Sequence, residues 1–202
     1  NDTLSARMHP RQSCAALAEA LRQKGAEISA EGSADGKVVW ATGWAGLTEL
    51  TEAMGRMVGN GVKGQAALFG LDRRGLPQLF ADALHIIPHA DGTVAVGSTS
   101  EREFNDPTSP DELLDDVIQR AIKAMPELAD APILERWAGV RPRAKSRAPM
   151  LGEHPLRSGE FIANGGFKIG FGMAPKVGKC LADLVLEGKD TIPNAFKPEA
   201  SL

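Results

Sequence analysis

A glycine-dense segment that leads from a proline-flanked arginine into a helix constrains this chain more than any other feature. Residues 137–178 read WAGVRPRAKSRAPMLGEHPLRSGEFIANGGFKIGFGMAPKVG. Glycines at 165, 166, 170 and 172 let backbone amides approach another molecule with no Cβ in the way. Pro175 suits the first position of a helix, whose leading N–H groups would lack intrahelical partners and sit at the positive end of the dipole. Upstream, Pro142 biases Arg141 toward an extended conformation, and Arg141, Arg143, Lys145 and Arg147 alternate so that an extended segment would turn them to one side. A cationic strand end followed by open amides suits a flat, partly anionic ligand.

The remaining pattern predicts an α+β chain with an antiparallel sheet in the middle and βα pieces at both ends. Pro10 and Gly25 bound a helix over residues 10–24. An apolar strand at 38–42 precedes a helix at 47–54, and strands are expected at 62–68, 84–89 and 93–98. Ala90-Asp91-Gly92 joins the last two as a tight hairpin. A helix over 110–125 has Ser109 and Glu112 as a capping box, with Leu113, Leu114, Val117, Ile118, Ala121, Ile122 and Met125 as its apolar stripe. Strands at 133–140 and 160–163 follow, then a helix at 175–187 stopped by Gly188, and a weakly ordered tail after Asp190.

Composition narrows the function classes. With 43% hydrophobic and 24% charged residues the chain can bury a core, and a net charge of −3 gives no general attraction to nucleic acid or anionic membranes. The basic run including Arg136 has only Trp137 as an aromatic companion, so a stacking platform for nucleic acid is not expected. No apolar run reaches the roughly 18 residues of a membrane span. Cys14 and Cys180 each lie in an apolar helical stripe and are expected as small buried hydrophobes rather than a disulfide. The four histidines are scattered without a paired Cys or carboxylate spacing, so no metal site is expected; His89 and His154 read as surface residues.

In order, the chain presents Trp137-Ala138-Gly139-Val140-Arg141-Pro142, then Pro149-Met150-Leu151-Gly152, then Ala163-Asn164-Gly165-Gly166-Phe167 with Ala174-Pro175 beyond. This order resembles the closing segment of the FAD-dependent amine and amino-acid oxidases, the superfamily of D-amino-acid oxidase, glycine oxidase and sarcosine oxidase. Further matches are His9-Pro10-Arg11, the 38–44 run VVWATGW, the 62–65 run VKGQ, and His85-Ile86-Ile87-Pro88 with the 91–99 run DGTVAVGST, so the resemblance covers about residues 9–188. The family's opening unit of strand, Gly-x-Gly-x-x-Gly turn and helix is not found, since the glycine-rich run from Gly55 to Gly64, which contains the matching letters GNGVKG, follows a helix; the chain is therefore expected to be the C-terminal part of a larger flavoprotein that binds FAD weakly when isolated. The resemblance implies remnants of an FAD-binding domain at 1–58 and 139–202 flanking a substrate or cap domain at 59–138.

The resemblance also implies roles. FAD, held non-covalently because neither cysteine lies in the Arg141 segment, would contact Ala41, Thr42, Gly43, Gly165, Gly166, Phe167, Gly170, Phe171, Gly172 and Met173. Arg141 would bind the substrate carboxylate through its planar fork. Lys168, placed as in the sarcosine-oxidase branch, and His85, where glycine oxidases carry a Tyr, would complete the substrate side; the chain has no Tyr. No residue is implied as an acid or base catalyst. The expected partner is a small amine or amino acid whose C–N bond is oxidised to an imine, with no nucleic acid and no membrane; a homo-oligomer is admitted, and a cytoplasmic location is expected. The competing reading is a ligand-binding or interaction fragment without a functional flavin.

Overall fold

The computed structural model describes residues 6–202; the segment 1–5, part of the stretch in which no targeting signal is read, lies outside the described residues. The chain forms two compact units, one of residues up to 32 with 64–100 and 105–139, the other of 33–63, 101–104 and 140–202.

The first unit contains α1 (Pro10–Gln23), β3 (Leu79–Ala81), β4 (Leu84–Pro88), β5 (Val94–Gly97) and α3 (Leu113–Ala124). It also holds residues 64–69 of β2 (Gly59–Phe69) and 133–139 of β6 (Ile133–Ala144). The strands follow the order β3-β4-β5-β2-β6, with β3-β4, β4-β5 and β2-β5 antiparallel. Alternate residues Leu84, Ile86, Val94, Val96, Ala67 and Phe69 bury against Leu114, Val117, Ile118 and Ala121 of α3. Burial of such side chains contributes about 1.5–3 kcal/mol each and holds the helix to one face of the sheet. The predicted hairpin is present: His89 N–H donates to Thr93 C=O at 2.7 Å, and Gly92 takes φ +86°.

Two predicted features of this unit differ. The Ser109–Glu112 capping box does not form; α3 starts at Leu113, whose N–H donates to Asp111 Oδ1 at 3.0 Å, and Gln65 holds Asp111 through Nε2 to Oδ1 at 2.7 Å. A buried Gln reaching from β2 thus displaces the local cap that the sequence offered. Helix α1 buries none of its residues, so Cys14 is exposed rather than buried. It is held by polar contacts instead: Arg11 binds Glu135 through both guanidinium nitrogens at 2.5 and 2.7 Å, and Gln12 donates to Asp91 at 3.0 Å. These contacts hold α1 to the sheet unit. His89, expected at the surface, is buried against His9 with ring centroids 4.2 Å apart, and burial pushes its pKa down.

The second unit is a sheet covered on both faces. Its order is β1 (Val39–Trp40), β8 (Phe161–Asn164), β7 (Met150–Glu153); β1 is parallel to β8, and β7 is antiparallel to it. Met150 and Ile162 pack with Leu47 and Leu50 of α2 (Gly43–Met54). Their neighbour Leu151 faces the other way, onto Cys180 and Leu181 of α4 (Gly170–Glu187). The two-residue period of the strands therefore feeds two separate cores. The tail past Asp190 is ordered rather than loose: Ile192 is buried against Leu151, and Ser201 is fully buried with its hydroxyl 3.0 Å from Ser146 Oγ.

Helix α4 begins at Gly170, five residues before Pro175, which lies inside the helix. The first turn closes without the proline, by Met173 N–H to Ile169 C=O at 3.1 Å. Gly188 ends the helix in the left-handed conformation, as expected. Strand β7 and the short β3 are additions that the sequence pattern does not reveal.

Candidate functional site

Within the second unit, β1 and β8 run side by side in the same direction and each hands over to a helix. Trp40 ends β1 and Gly43 opens α2; Asn164 ends β8 and Gly170 opens α4. Two helix N-termini therefore stand at the carboxyl ends of adjacent parallel strands, the position where open α/β sheets bind ligands. The amides of Gly43, Trp44 and Ala45 precede the first bond of α2, from Gly46 N–H to Thr42 C=O at 3.4 Å. Those of Gly170, Phe171 and Gly172 precede the first bond of α4. Both sets sit at the positive end of a helix dipole and favour negative charge.

Asn164 ties the two starts together. Its side chain, 7% exposed, donates through Nδ2 to Gly43 C=O at 2.8 Å and accepts through Oδ1 from Gly165 N–H at 2.7 Å. The sequence reading quoted Asn164 only as part of a motif; its signal is a polar residue ending an otherwise apolar strand, a position that demands partners when buried.

The turn from β8 to α4 leans on β6. Gly165 has φ +72°, and a Cβ there would lie 2.7 Å from Ala144 Cβ. Gly166 pairs with Arg143, and Phe167, at φ +42°, donates its N–H to Pro142 C=O at 2.9 Å. The Arg143 guanidinium sits 5.7 Å from the Phe167 ring centre. The Arg141-Pro142-Arg143 strand and the glycine turn are thus one piece of structure. Arg141 is half-buried, and burial pushes its pKa down while the charge of Glu101 pushes it up. The cationic stripe expected through Arg147 stops short, because β6 ends at Ala144 and Lys145 turns to donate to Val58 C=O at 2.9 Å.

Of the predicted site residues, the second unit contains Ala41, Thr42, Gly43, Arg141, Gly165, Gly166, Phe167, Lys168, Gly170, Phe171, Gly172 and Met173. Lys168 is exposed, its ammonium 5.6 Å from the Phe167 ring centre. His85 belongs to the first unit, exposed on β4 and stacked at 4.7 Å on Phe80. His154, expected at the surface, is half-buried beside Trp40 and lines a cleft of about 240 Å³ with Thr42, Glu49 and Arg157; burial lowers its pKa. Among the described residues, no cluster of His, Cys, Asp or Glu could hold a metal ion, and no helix is long and apolar enough to cross a membrane.

The donor set fits a flat anionic cofactor. A Cβ at Gly170 or Gly172 would meet no atom within 4 Å beyond its own helix backbone and chain neighbours, and neither residue has a positive φ, so the fold itself does not demand glycine at the start of α4. Glycine in a helix costs up to about 1 kcal/mol relative to alanine, and at these two positions it leaves the amides of the first turn uncovered.

The second unit is thus a sheet covered on both faces that presents two helix N-termini at the ends of adjacent parallel strands. The chain belongs to the FAD dependent oxidoreductase family, DAO, whose model matches residues 2–184. It is 33% identical over 171 residues to a glycine oxidase of Pseudomonas aeruginosa, covering 82% of this chain and 46% of that protein. It is 31% identical over 173 residues to a glycine oxidase of Pseudomonas putida, covering 84% and 47%. Among solved structures it is similar to glycine oxidase from Geobacillus kaustophilus, with a TM-score of 0.69 at 27% identity over 80% of this chain and 44% of that one. Iminodiacetate oxidase from Chelativorans sp. gives a TM-score of 0.69 at 26% identity over 83% and 47%. The chain thus spans less than half the length of these relatives.

Proposed function

We propose that this chain forms the part of an FAD-dependent oxidoreductase that holds one portion of the flavin and the carboxylate of a small amino-acid or amine substrate. In this reading the second unit carries the flavin-domain pieces and the first unit the substrate domain. The single observation that supports it most is the docking of the glycine turn on β6: Phe167 N–H to Pro142 C=O ties the amides that open α4 to the strand of Arg141.

FAD, when bound, supplies a two-electron acceptor, so that the C–N bond is oxidised to an imine that water hydrolyses. This chain's own residues would then orient rather than exchange protons. Arg141, half-buried, would grip the substrate carboxylate with two parallel N–H donors. The open amides of Gly170, Phe171 and Gly172 would favour negative charge on the cofactor, and Ala41–Gly43 before α2 and the Gly165–Phe167 turn before α4 would line it. Lys168, exposed and next to Phe167, offers a second cation on the substrate side. The glycine oxidases named above point to a small amino acid as substrate.

In the full-length enzyme, Arg141→Ala is expected to lower kcat/KM for an amino acid at least about tenfold, as for loss of a charge-assisted pair. The flavin absorbance should stay close to that of the wild type. Arg141→Lys should recover only part, because a single ammonium cannot reproduce the fork. An unchanged kcat/KM in the alanine variant would overturn the reading.

A further inference from the structure

Two cations gather on one aromatic ring beside the strand of Arg141. The Arg143 guanidinium carbon lies 5.7 Å from the Phe167 ring centre, and the Lys168 ammonium lies 5.6 Å from it. Arg143 is half-buried and Lys168 exposed. Elsewhere Arg11, Arg73, Arg74, Arg120 and Arg136 each meet an Asp or Glu oxygen at 2.5–2.8 Å. Among the described residues, neither Arg143 nor Lys168 has a carboxylate at ion-pair distance. A ring face holds a cation but does not neutralise it, and two like charges around one ring repel each other. The backbone explains why both reach the ring. Strand β6 bridges to the glycine turn at Arg143 and Gly166, so no side chain stands opposite Arg143 and its guanidinium can lie over the turn. Phe167 N–H to Pro142 C=O at 2.9 Å fixes the next residue of that turn. Arg141 and Arg143 stand two residues apart on extended β6, hence on one side of it and roughly 6–7 Å apart along the strand.

We propose that Arg143 and Lys168 form a second carboxylate site beside Arg141, and that the substrate is an amino acid or amine carrying two acid groups. The proposal rests on the reading of Arg141 as the binder of the first carboxylate. A substrate with one carboxylate leaves the two cations on Phe167 unneutralised, whereas a second acid group on a short carbon chain reaches them. Arg143 supplies the planar fork for that group, and Lys168 adds a mobile point charge from the solvent side. The other source of negative charge is the diphosphate of the cofactor, and the experiment separates the two.

Binding is read in the full-length holoenzyme from the change in flavin absorbance on titration with acetate, succinate or glutarate. The better of the two dicarboxylates should bind at least about tenfold more tightly than acetate, the gain from one added charge-assisted pair. Arg143→Gln should remove most of that advantage, and Arg143→Lys should keep part of it, because an ammonium retains the charge without the fork. Lys168→Gln should weaken the dicarboxylate only about threefold, since solvent screens an exposed charge. Dicarboxylates that bind no better than acetate to the wild type overturn the proposal with no variant needed, and so does an advantage that survives whole in Arg143→Gln. If Arg143→Gln does not fold, Lys168→Gln on the exposed turn decides, a full remaining advantage refuting the site. Titration of the apoprotein with FAD is the second arm. A Gln variant that loses FAD affinity and keeps the dicarboxylate advantage assigns these cations to the cofactor's phosphates and overturns the proposal. Arg141→Ala, measured alongside, should weaken acetate and the dicarboxylates alike. Unchanged acetate binding there removes the reading of Arg141, whereas its loss, with no dicarboxylate advantage in the wild type, removes only the second site.

Discussion

The two helices that leave the parallel strands of the second unit begin in different ways, and the difference shows what each is built to do. From Trp40 to Gly43 the chain turns tightly, with Asn164 of β8 as its side-chain tie: Gly43 takes φ +63°, its C=O accepts from Asn164 Nδ2, and Thr42 lies so close over Gly46 that a Cβ there would be 1.8 Å from Thr42 Oγ1. From Asn164 to Gly170 the chain takes a longer path that relies on β6, through Gly165 against Ala144 and Phe167 on Pro142. The first turn is short and does not lean on β6. The second makes the opening of α4 depend on the strand that carries Arg141, so a disturbance in one reaches the other.

The largest expected effect tests that dependence. Gly165→Ala combines a positive φ with a new Cβ 2.7 Å from the Cβ of Ala144, a contact that no rotamer can relieve. Destabilisation of about 2–4 kcal/mol follows, read as a lower midpoint in denaturant unfolding. Gly43→Ala shares the positive φ but meets no atom within 4 Å, so about 1 kcal/mol is expected. Equal losses at the two positions would show that the second turn does not lean on β6.

Next in size is the tie between the turns. Asn164→Leu keeps the volume near Ile162 but removes both the bond to Gly43 C=O and the acceptor for Gly165 N–H. Leaving these backbone groups unsatisfied at a buried position costs about 1–3 kcal/mol. A double variant with Gly43→Ala should lose less than the sum, because the two positions share one hydrogen bond. Strict additivity would mean that the two helix starts are independent.

The comparison also explains what could be read from residues alone. The apolar stripe of α3, the Asp91-Gly92 hairpin and the Gly188 stop were legible because each is a local pattern with its own physical cause. The start of α4 was not: Pro175 is a strong local signal, yet the turn that fixes the start draws on Pro142 and Ala144, far away in sequence. The same holds for α1, whose exposed Leu17 and Leu21 imitate a buried stripe while Arg11 and Gln12 do the attaching. At the candidate site, the family motif singled out the glycines and Arg141 as expectations, and the fold brings the turn and the Arg141 strand together. Asn164 needed the strands to be placed side by side before its bond to Gly43 had any meaning.

The smallest expected change in stability, at Gly170, carries the sharpest information about the ligand. In this chain Gly170→Ala places a methyl group where no atom lies within 4 Å, at a helical position with no positive φ. Alanine there restricts the unfolded chain and suits a helix, so the protein should gain about 0.5–1 kcal/mol in denaturant unfolding. If the open amides of α4 receive FAD, the same methyl group blocks the approach, and the full-length protein should bind FAD about tenfold more weakly, measured by flavin fluorescence during titration of the apoprotein. Gly43→Ala gives the opposite stability sign, since its φ is unfavourable, and so separates loss of fold from loss of ligand. A Gly170→Ala protein that gains stability and keeps its full affinity for FAD would mean that the cofactor does not come close to the start of α4, and that the docking of this turn on β6 serves the fold alone.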